Sequence, residues 1–192
     1  LKSMIESTTY PEPFAKKGNV KEAINRIYDL YDKSVTVNVL DSMKSLGYKY
    51  ATIAAVTIGM DDIIIPDEKA TIIEETEKKV DYINSLYRLG FLTDDERYQS
   101  TVDLWTKESN QLTNIMMSNY EENHRKNPLY MMVHSGARGS KDQVKQLSSM
   151  RGLMANTLGN IIEFPIKANF KEGINILDFF ISSHGPRKGG VD

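Results

Sequence analysis

The stretch that decides the fold is DEKATIIEETEKKVDYINSLYRLGFLTDDERYQSTVDLWTKESNQLTNIMMSNYEE, residues 67–122. Its mostly apolar positions recur every three or four residues, at Ile73, Val80, Ile83 and Tyr87 and then at Tyr98, Val102, Trp105, Ser109, Leu112 and Met116. This spacing predicts two helices, and Gly90 between them predicts a stop. Thr93 and Glu96 have the spacing of a capping box, which predicts the start of the second helix. We therefore expect an antiparallel, coiled-coil-like hairpin.

Outside this stretch the sequence predicts further helices joined by irregular segments. Residues 20–46 have helical periodicity, and Gly47 follows them as a predicted stop. Residues 48–66 are apolar and β-branched, which fits either a buried strand or a helix. Residues 161–170 indicate a strand or an extended piece, and apolar residues on several faces after Phe170 predict a buried helix. The predicted fold class is mainly α with a few short strands.

Composition limits the class of protein. The 192 residues are 40% hydrophobic and 26% charged, which excludes a wholly disordered chain. Cysteine is absent, so disulfides, cysteine-ligated zinc, iron–sulfur clusters and thiol catalysis are excluded together. No run of about 18 apolar residues occurs, so we expect no membrane span. A reducing, cytoplasmic compartment is compatible with this cysteine usage.

Charge is distributed unevenly along the chain. Residues 1–129 carry a net charge of −5 and residues 130–192 a net charge of +3, although the whole chain carries only −2. The hairpin stretch holds 6 basic and 13 acidic residues, a net of −7. This excess of acid fits either a solvated face or a docking arm for a basic partner.

Sequence motifs for phosphate-binding loops, dinucleotide folds, zinc peptidases and serine hydrolases do not occur. The three histidines are far apart and include no i,i+4 pair: His124, His134 and His184. Asp61 and Asp62 could hold Mg²⁺ with a third ligand, but after Gly59 they are more typical of a helix cap or a turn. We therefore expect no metal site in this segment.

Two glycine-rich stretches have the chemistry of an anion site or a hinge. In SGARGS, residues 135–140, successive Gly and Ser residues free backbone N–H groups for an anion, and Arg138 adds a planar guanidinium that matches phosphate. GPRKGG, residues 185–190, interrupts the predicted last helix with three glycines and a proline. It could bind an anion, but this composition favours a hinge. The chain stops at Asp192 without a closing element, so we expect a piece of a larger multidomain protein.

Two long blocks near the C-terminus are specific enough to indicate a family. They are NPLYMMVHSGARGSKDQVKQLSSMRGLMA at 127–155 and IIEFPIKANFKEGINILDFFISSHGPRKGGVD at 161–192. GMDDIIIP at 59–66 and ERYQSTVDLW at 96–105 extend the match upstream. With these blocks, most of the chain closely resembles the largest subunit of multisubunit RNA polymerase, the bacterial β′ subunit.

The resemblance implies a role for each part of the chain. Residues 1–66 resemble the end of the funnel-side domain. Residues 67–126 resemble the rim helices of the secondary channel, where Gre-type and DksA-type factors dock. Residues 127–166 resemble the F-loop region beside the active centre, and residues 167–192 resemble the first part of the bridge helix, which is truncated here.

It also implies roles for individual residues. Arg138 would contact the triphosphate of the incoming nucleotide, in agreement with the phosphate chemistry of its loop. The further implied residues are Ser135, Gly136, Gly139, Gln146 and Arg151 in the F-loop, Gly185, Pro186, Arg187, Lys188, Gly189 and Gly190 in a bridge-helix hinge, and Arg97, Tyr98, Asp103 and Trp105 at the docking surface.

Two departures from the family pattern limit what the resemblance implies. Pro186 stands where bacterial sequences usually have alanine, and it should weaken the helix locally. Gln99 and Ser100 replace the Asn-Lys pair of a ppGpp site, so a ppGpp role is doubtful.

The catalytic residues of the family are not in this segment. Its NADFDGD loop, whose aspartates bind the catalytic Mg²⁺, is absent, as are the trigger loop and the zinc cysteines. Because phosphoryl transfer needs those metals, we predict that the segment alone makes no RNA. The implied partners are the β, α, ω and sigma subunits, template DNA and RNA, with no membrane.

Two alternatives to a part of the polymerase stay open. The chain could be an isolated rim-helix platform that binds transcription factors without catalysis. It could also be a free-standing helical protein that binds an anion at residues 135–140.

Overall fold

The computed structural model describes the backbone of residues 17–191 and the side chains of residues 17–185. Within that range it confirms the predicted mainly α fold. The helices are α1 (Lys17–Leu30), α2 (Lys33–Ala54), α3 (Lys69–Arg88), α4 (Asp94–Asn123), α5 (Pro128–Ser135), α6 (Lys141–Ser148) and α7 (Ile176–Val191), with one 3-10 turn at Met60–Asp62. β-structure among these residues is limited to two isolated antiparallel bridges, Gly152–Ile166 and Ala155–Ile161. No described helix is long and apolar enough to cross a membrane.

The chain divides into two compact units. The first contains the described residues up to 58 together with 128–139, and the second contains 59–127 and 140–191. The boundaries predicted from the sequence came from the family resemblance, whereas these units are defined by compactness. The predicted domain boundaries therefore stay predictions.

Helix α2 in the first unit corrects the predicted stop at Gly47. The helix continues through this glycine to Ala54, and it ends where Ala55 adopts a left-handed conformation with φ 47° and ψ 42°. The N–H of Ala55 donates to the carbonyl of Ala51. A glycine permits the left-handed cap but does not force it, since it can also remain helical at a cost of about 1 kcal/mol. Residues 48–54, left open between strand and helix, are therefore helical.

The predicted hairpin forms the centre of the second unit, where α3 and α4 pack against each other. Gly90 follows α3 with φ 79°, as expected of a left-handed helix stop. Thr93 caps α4: its Oγ accepts from the N–H of Glu96, and the Glu96 carboxylate accepts from the N–H of Thr93. Both sequence predictions are confirmed. Trp105, Leu112 and Met150 make the buried cluster of this unit, and Ile72, Ile73, Val80 and Leu153 pack on it.

The last helix differs from its prediction in three ways. It begins at Ile176 rather than near Phe170, because a turn occupies the preceding residues. It continues through residues 185–190, so the predicted interruption there is wrong. Its apolar side chains are exposed rather than buried, among them Ile176, Leu177, Phe179 and Phe180. The segment 161–170 bends at residues 163 and 164 and forms no strand beyond its two bridge residues, Ile161 and Ile166.

Candidate functional site

The predicted phosphate-binding loop follows the last turn of α5, in the first unit. Gly136 and Gly139 both have left-handed backbones, with φ 74° and 84°. Between them, the N–H of Arg138 donates to the carbonyl of Met132 at 3.4 Å. The Ser135 hydroxyl donates to the same carbonyl at 3.1 Å and accepts from the N–H of Ala137 at 3.4 Å. The glycines therefore serve a tight backbone turn that brings Arg138 to its apex.

The Arg138 side chain is exposed, and it makes no ion pair or side-chain hydrogen bond with the part of the chain that the structure describes. Its loop lies against the start of α1, since a Cβ added to Gly136 would stand 3.3 Å from the Cβ of Lys17. Sequence reasoning did not connect Lys17 with this loop, because more than a hundred positions separate them along the chain. The first unit thus brings two basic residues to one glycine turn.

Gln146 and Arg151, the other implied F-loop residues, lie in the second unit. Ser140 caps α6 by accepting from the N–H of Gln143, which sets the start of this short helix. The carbonyl of Gln146 accepts from the N–H of Phe170 at 3.1 Å. The Arg151 guanidinium lies 5.1 Å from the centre of the Phe170 ring, within cation–π range. Both residues therefore hold the segment that leads to α7.

Lys145 is an ionisable group of α6 that sequence reasoning did not single out. Burial lowers the pKa of its ammonium group below the ordinary value, and the charge of Asp142 opposes that shift. Arg151 is another basic residue that is partly removed from water: its Nε is buried and has no hydrogen-bond partner among the described residues.

The implied hinge residues occupy the last turns of α7. Pro186 has no N–H to donate to the carbonyl four residues earlier, at Ser182, yet the helix continues to Val191. At Gly185 there is open space where a Cβ would be. Residues 186–190 have helical backbones, and the side chains of Pro186, Arg187 and Lys188 lie outside the described part. The hinge at Gly185, Pro186, Arg187, Lys188, Gly189 and Gly190 therefore stays a prediction.

The implied docking residues of the hairpin are mostly engaged inside the second unit. Arg97 bonds to Glu163 at 2.7 Å and to Asp94 at 2.9 Å, and these two carboxylates raise the pKa of its guanidinium. The Tyr98 hydroxyl donates to the carbonyl of Ile161 at 2.8 Å. Trp105 is only 4% exposed.

Asp103 alone among the four implied docking residues presents an exposed side chain, and it accepts a bond from Gln99 at 2.9 Å. The docking role of the set stays a prediction. The geometry adds an internal role for the other three, which contact the segment 161–167: Arg97 and Tyr98 bond to it, and the Trp105 ring centre lies 5.9 Å from the ammonium of Lys167. A cavity of about 400 Å³ remains between this segment and the hairpin, lined by residues that include Phe164 and Lys167.

The acidic pair before α3 forms a cap. The Asp62 carboxylate accepts from the N–H of Gly59 at 2.7 Å and closes the 3-10 turn. No group of three or more His, Asp or Glu side chains in the described range could hold a metal ion. The Asp62 carboxylate is thus engaged with the backbone of its own turn, and the absence of a metal site stays a prediction.

Comparison with known proteins places the chain beside one family. Residues 2–63 match the model described as RNA polymerase Rpb1, domain 3, and residues 92–174 match RNA polymerase Rpb1, domain 4. The chain is 48% identical over 169 residues to the DNA-directed RNA polymerase subunit beta′ of Clostridium botulinum. The matched stretch covers 88% of this chain and 14% of that protein.

Two further relatives carry the same name, DNA-directed RNA polymerase subunit beta′. The protein from Acetivibrio thermocellus is 47% identical over 92% of this chain and 15% of its own length. The one from Treponema pallidum is 47% identical over 90% of this chain and 12% of its own length. The chain therefore spans between 12% and 15% of the length of these relatives.

Proposed function

The chain belongs to the family of the largest RNA polymerase subunit, called beta′ in bacteria, and from that premise we propose that it works as part of a DNA-directed RNA polymerase. Its partners in that complex would be the β, α, ω and sigma subunits, template DNA and RNA, in the cytoplasm. The two family-model matches support this proposal, because they cover successive stretches of the chain in the order of domains 3 and 4.

Within the proposed complex, Arg138 binds the triphosphate of the incoming nucleotide. The observation that carries this role is an exposed guanidinium, unpaired within the described residues, on a tight turn formed by Gly136 and Gly139. A guanidinium offers phosphate two parallel N–H donors, and the side chain of Lys17 begins beside the loop, so a second basic residue is nearby.

Catalysis itself is assigned to residues outside this segment. Asp62 is engaged with the backbone of its own turn, so we derive no step that passes through Mg²⁺ here. The segment would bind and position substrate, and in the α7 region residues 185–190 would supply a bend during translocation. The support for the bend is compositional: three glycines and a proline within one helix weaken its backbone.

The test of the Arg138 role uses a complete polymerase that carries this segment. Arg138→Ala should raise the apparent KM for nucleotides by about tenfold or more, because hydrogen bonds between charged groups are the strong ones. Lys141→Ala is the matched control: it removes an exposed cation three residues away and should leave KM unchanged. Equal kinetics of wild type and R138A at limiting nucleotide would refute the role.

A second candidate function is a docking platform without catalysis, formed by the α3–α4 hairpin. Its support is a net charge of −7 over residues 67–122, on two helices of which α4 contributes Trp105 and Leu112 to a buried cluster with Met150. The contact would use the exposed acidic face, including Asp103, since Trp105 is buried. Titration of this chain with a Gre-type factor tests it: binding should weaken as salt rises, and no binding at low salt would remove this candidate.

A further inference from the structure

One buried polar residue of the second unit has none of the roles considered so far. Asn169 follows the segment 161–167, which bonds to the hairpin through Arg97 and Tyr98, and it is 0% exposed. Burial of an amide is costly unless its donor and acceptor groups are bonded. Asn169 meets that requirement through bonds to two different parts of the chain.

The amide nitrogen of Asn169 caps the C-terminal end of α6. It donates to the carbonyl of Ser148, the last helical residue, at 3.1 Å and to that of Ser149 at 3.3 Å. Carbonyls at a helix end lack partners within the helix, so a side-chain donor satisfies them. Both serines are fully buried, and water cannot replace this donor without opening the site.

The other polar groups of Asn169 bind the turn that leads to α7. Its side-chain oxygen accepts from the N–H of Glu172 at 2.8 Å, and its own N–H donates to the Glu172 carboxylate at 3.2 Å. The same carboxylate pairs with Lys69, a buried lysine at the start of α3. One side chain thus joins the end of α6, the approach to α7 and, through Glu172, the first turn of α3.

Two backbone bonds run parallel to this contact. The N–H of Arg151 donates to the carbonyl of Ala168 at 3.1 Å, and the N–H of Phe170 donates to the carbonyl of Gln146 at 3.1 Å. They flank Asn169 on both sides in sequence. These two hydrogen bonds can form only if α6 and residues 168–172 keep their present spacing. The Asn169 side chain bonds to both of these parts.

We propose that Asn169 is a positioning residue that fixes the spacing between the end of α6 and the approach to α7. The role needs a donor toward α6 and an acceptor toward Glu172, and an amide supplies both. Its consequence for activity rests on the proposed function, in which Gln146 and Arg151 on one side and α7 on the other flank the active centre. The structural part of the proposal does not depend on that function.

The first experiment measures hydrogen exchange in the full 192-residue chain. Asn169→Ala should speed exchange by about tenfold or more in peptides that contain Arg151 and Phe170, because the bonds flanking the lost amide then open more often. Peptides from the centre of α4, around Leu112, should not change. Asn175→Ala is the matched control: among the described residues its side chain accepts only from the N–H of Leu177, so exchange should rise only at the first turn of α7.

A second variant separates positioning from general stability. Asn169→Leu keeps the approximate size and adds no charge, but it removes the donor toward Ser148 and Ser149 and the acceptor toward Glu172, so it should give the same local pattern. Unchanged exchange at Arg151 and Phe170 in both variants would overturn the proposal. So would a uniform rise over all peptides of the unit in N169L, which would make Asn169 a general determinant of stability.

A third measurement links the role to activity. In a complete polymerase that carries this segment, N169L should lower kcat by about tenfold and leave the apparent KM for nucleotides near its wild-type value, because the Arg138 loop is not touched. A local exchange effect with unchanged kcat would keep the structural link and remove its functional consequence. A failure of the proposed function would instead appear as wild-type complexes without template-dependent synthesis.

Discussion

Helices α4 and α7 lie in the same unit, but their apolar side chains have opposite environments. In α4, Trp105, Leu112 and Met116 are each at most 4% exposed, and a capping box fixes the N-terminus. In α7, Leu177 is 68% exposed and Phe180 58% exposed. Helix α4 has a packed stripe facing α3, whereas several apolar side chains of α7 are more exposed than buried.

This difference separates a helix that the segment stabilises by itself from one that depends on other chains or domains. Exposed apolar patches of this kind mark surfaces that are covered in an assembly or that promote association. The hairpin should therefore keep its structure in the isolated chain, and α7 should gain its full stability only in the complete protein.

Truncation of a buried side chain in α4 should have the largest effect on stability and so tests the difference between α4 and α7 most directly. Leu112→Ala removes a side chain that is 0% exposed and should lower the free energy of unfolding by about 2–5 kcal/mol. Leu177→Ala makes the same change on α7 and should cost less than about 0.5 kcal/mol. Urea unfolding of both variants measures this, and equal losses would show that α7 is as well packed as α4.

The two ion pairs of Arg97 allow the same comparison between a buried and an exposed contact. Glu163→Gln leaves a half-buried guanidinium with a weaker partner and should cost about 1–3 kcal/mol. Asp94→Asn alters the exposed partner of the same guanidinium and should cost less than about 1 kcal/mol. Thermal unfolding of the two variants decides the order, and a larger loss for D94N would contradict the internal role given to Glu163.

The cap of α4 should have a smaller effect. Thr93→Ala removes the side-chain acceptor for the N–H of Glu96 and should lower the free energy of unfolding by about 1 kcal/mol. Thr106→Ala, at an exposed position within the same helix, is the control and should cause no loss, because alanine is the better helix former. Chemical unfolding followed by circular dichroism measures both.

The smallest effect is a pH dependence of the same cap. Bonds from the N–H and hydroxyl of Thr93 lower the pKa of Glu96 below its ordinary value of 4.5. Since the folded state favours the carboxylate, this contribution is present above about pH 4.5 and is lost as pH falls through the lowered value. Wild type should therefore lose more stability than Glu96→Gln between pH 5 and pH 3. Parallel curves for the two proteins would contradict this.

Local features of the chain were predictable because a few neighbouring residues determine them. Gly90, Thr93 and Glu96 set the hairpin turn, and the spacing of the apolar residues set the buried stripe of α4. The predicted helix stop at Gly47 was wrong, since glycine can end a helix but can also continue one. The end at Ala55 has no such local signal, because alanine rarely adopts a left-handed backbone.

Long-range contacts account for what the sequence did not predict. Tyr98 bonds to a carbonyl 63 residues away and Arg97 to a carboxylate 66 residues away, so their internal roles have no local pattern. The local chemistry of its loop and then the resemblance both indicated Arg138, whereas the proximity of Lys17 depends on the fold. Asn169 was not predicted because a single buried amide has no periodicity.

The ion pair between Lys69 and Glu172 has a consequence for synthesis on the ribosome. The two residues are 103 positions apart, whereas α3 and α4 are neighbours joined by a short turn. Contacts between neighbours form early, and the hairpin can assemble once Asn123 has left the exit tunnel. Lys69 can form its ion pair only after Glu172 has been synthesised and has left the exit tunnel. The nascent hairpin therefore has an unpaired cation at its base, which keeps that end hydrated until the last segment arrives.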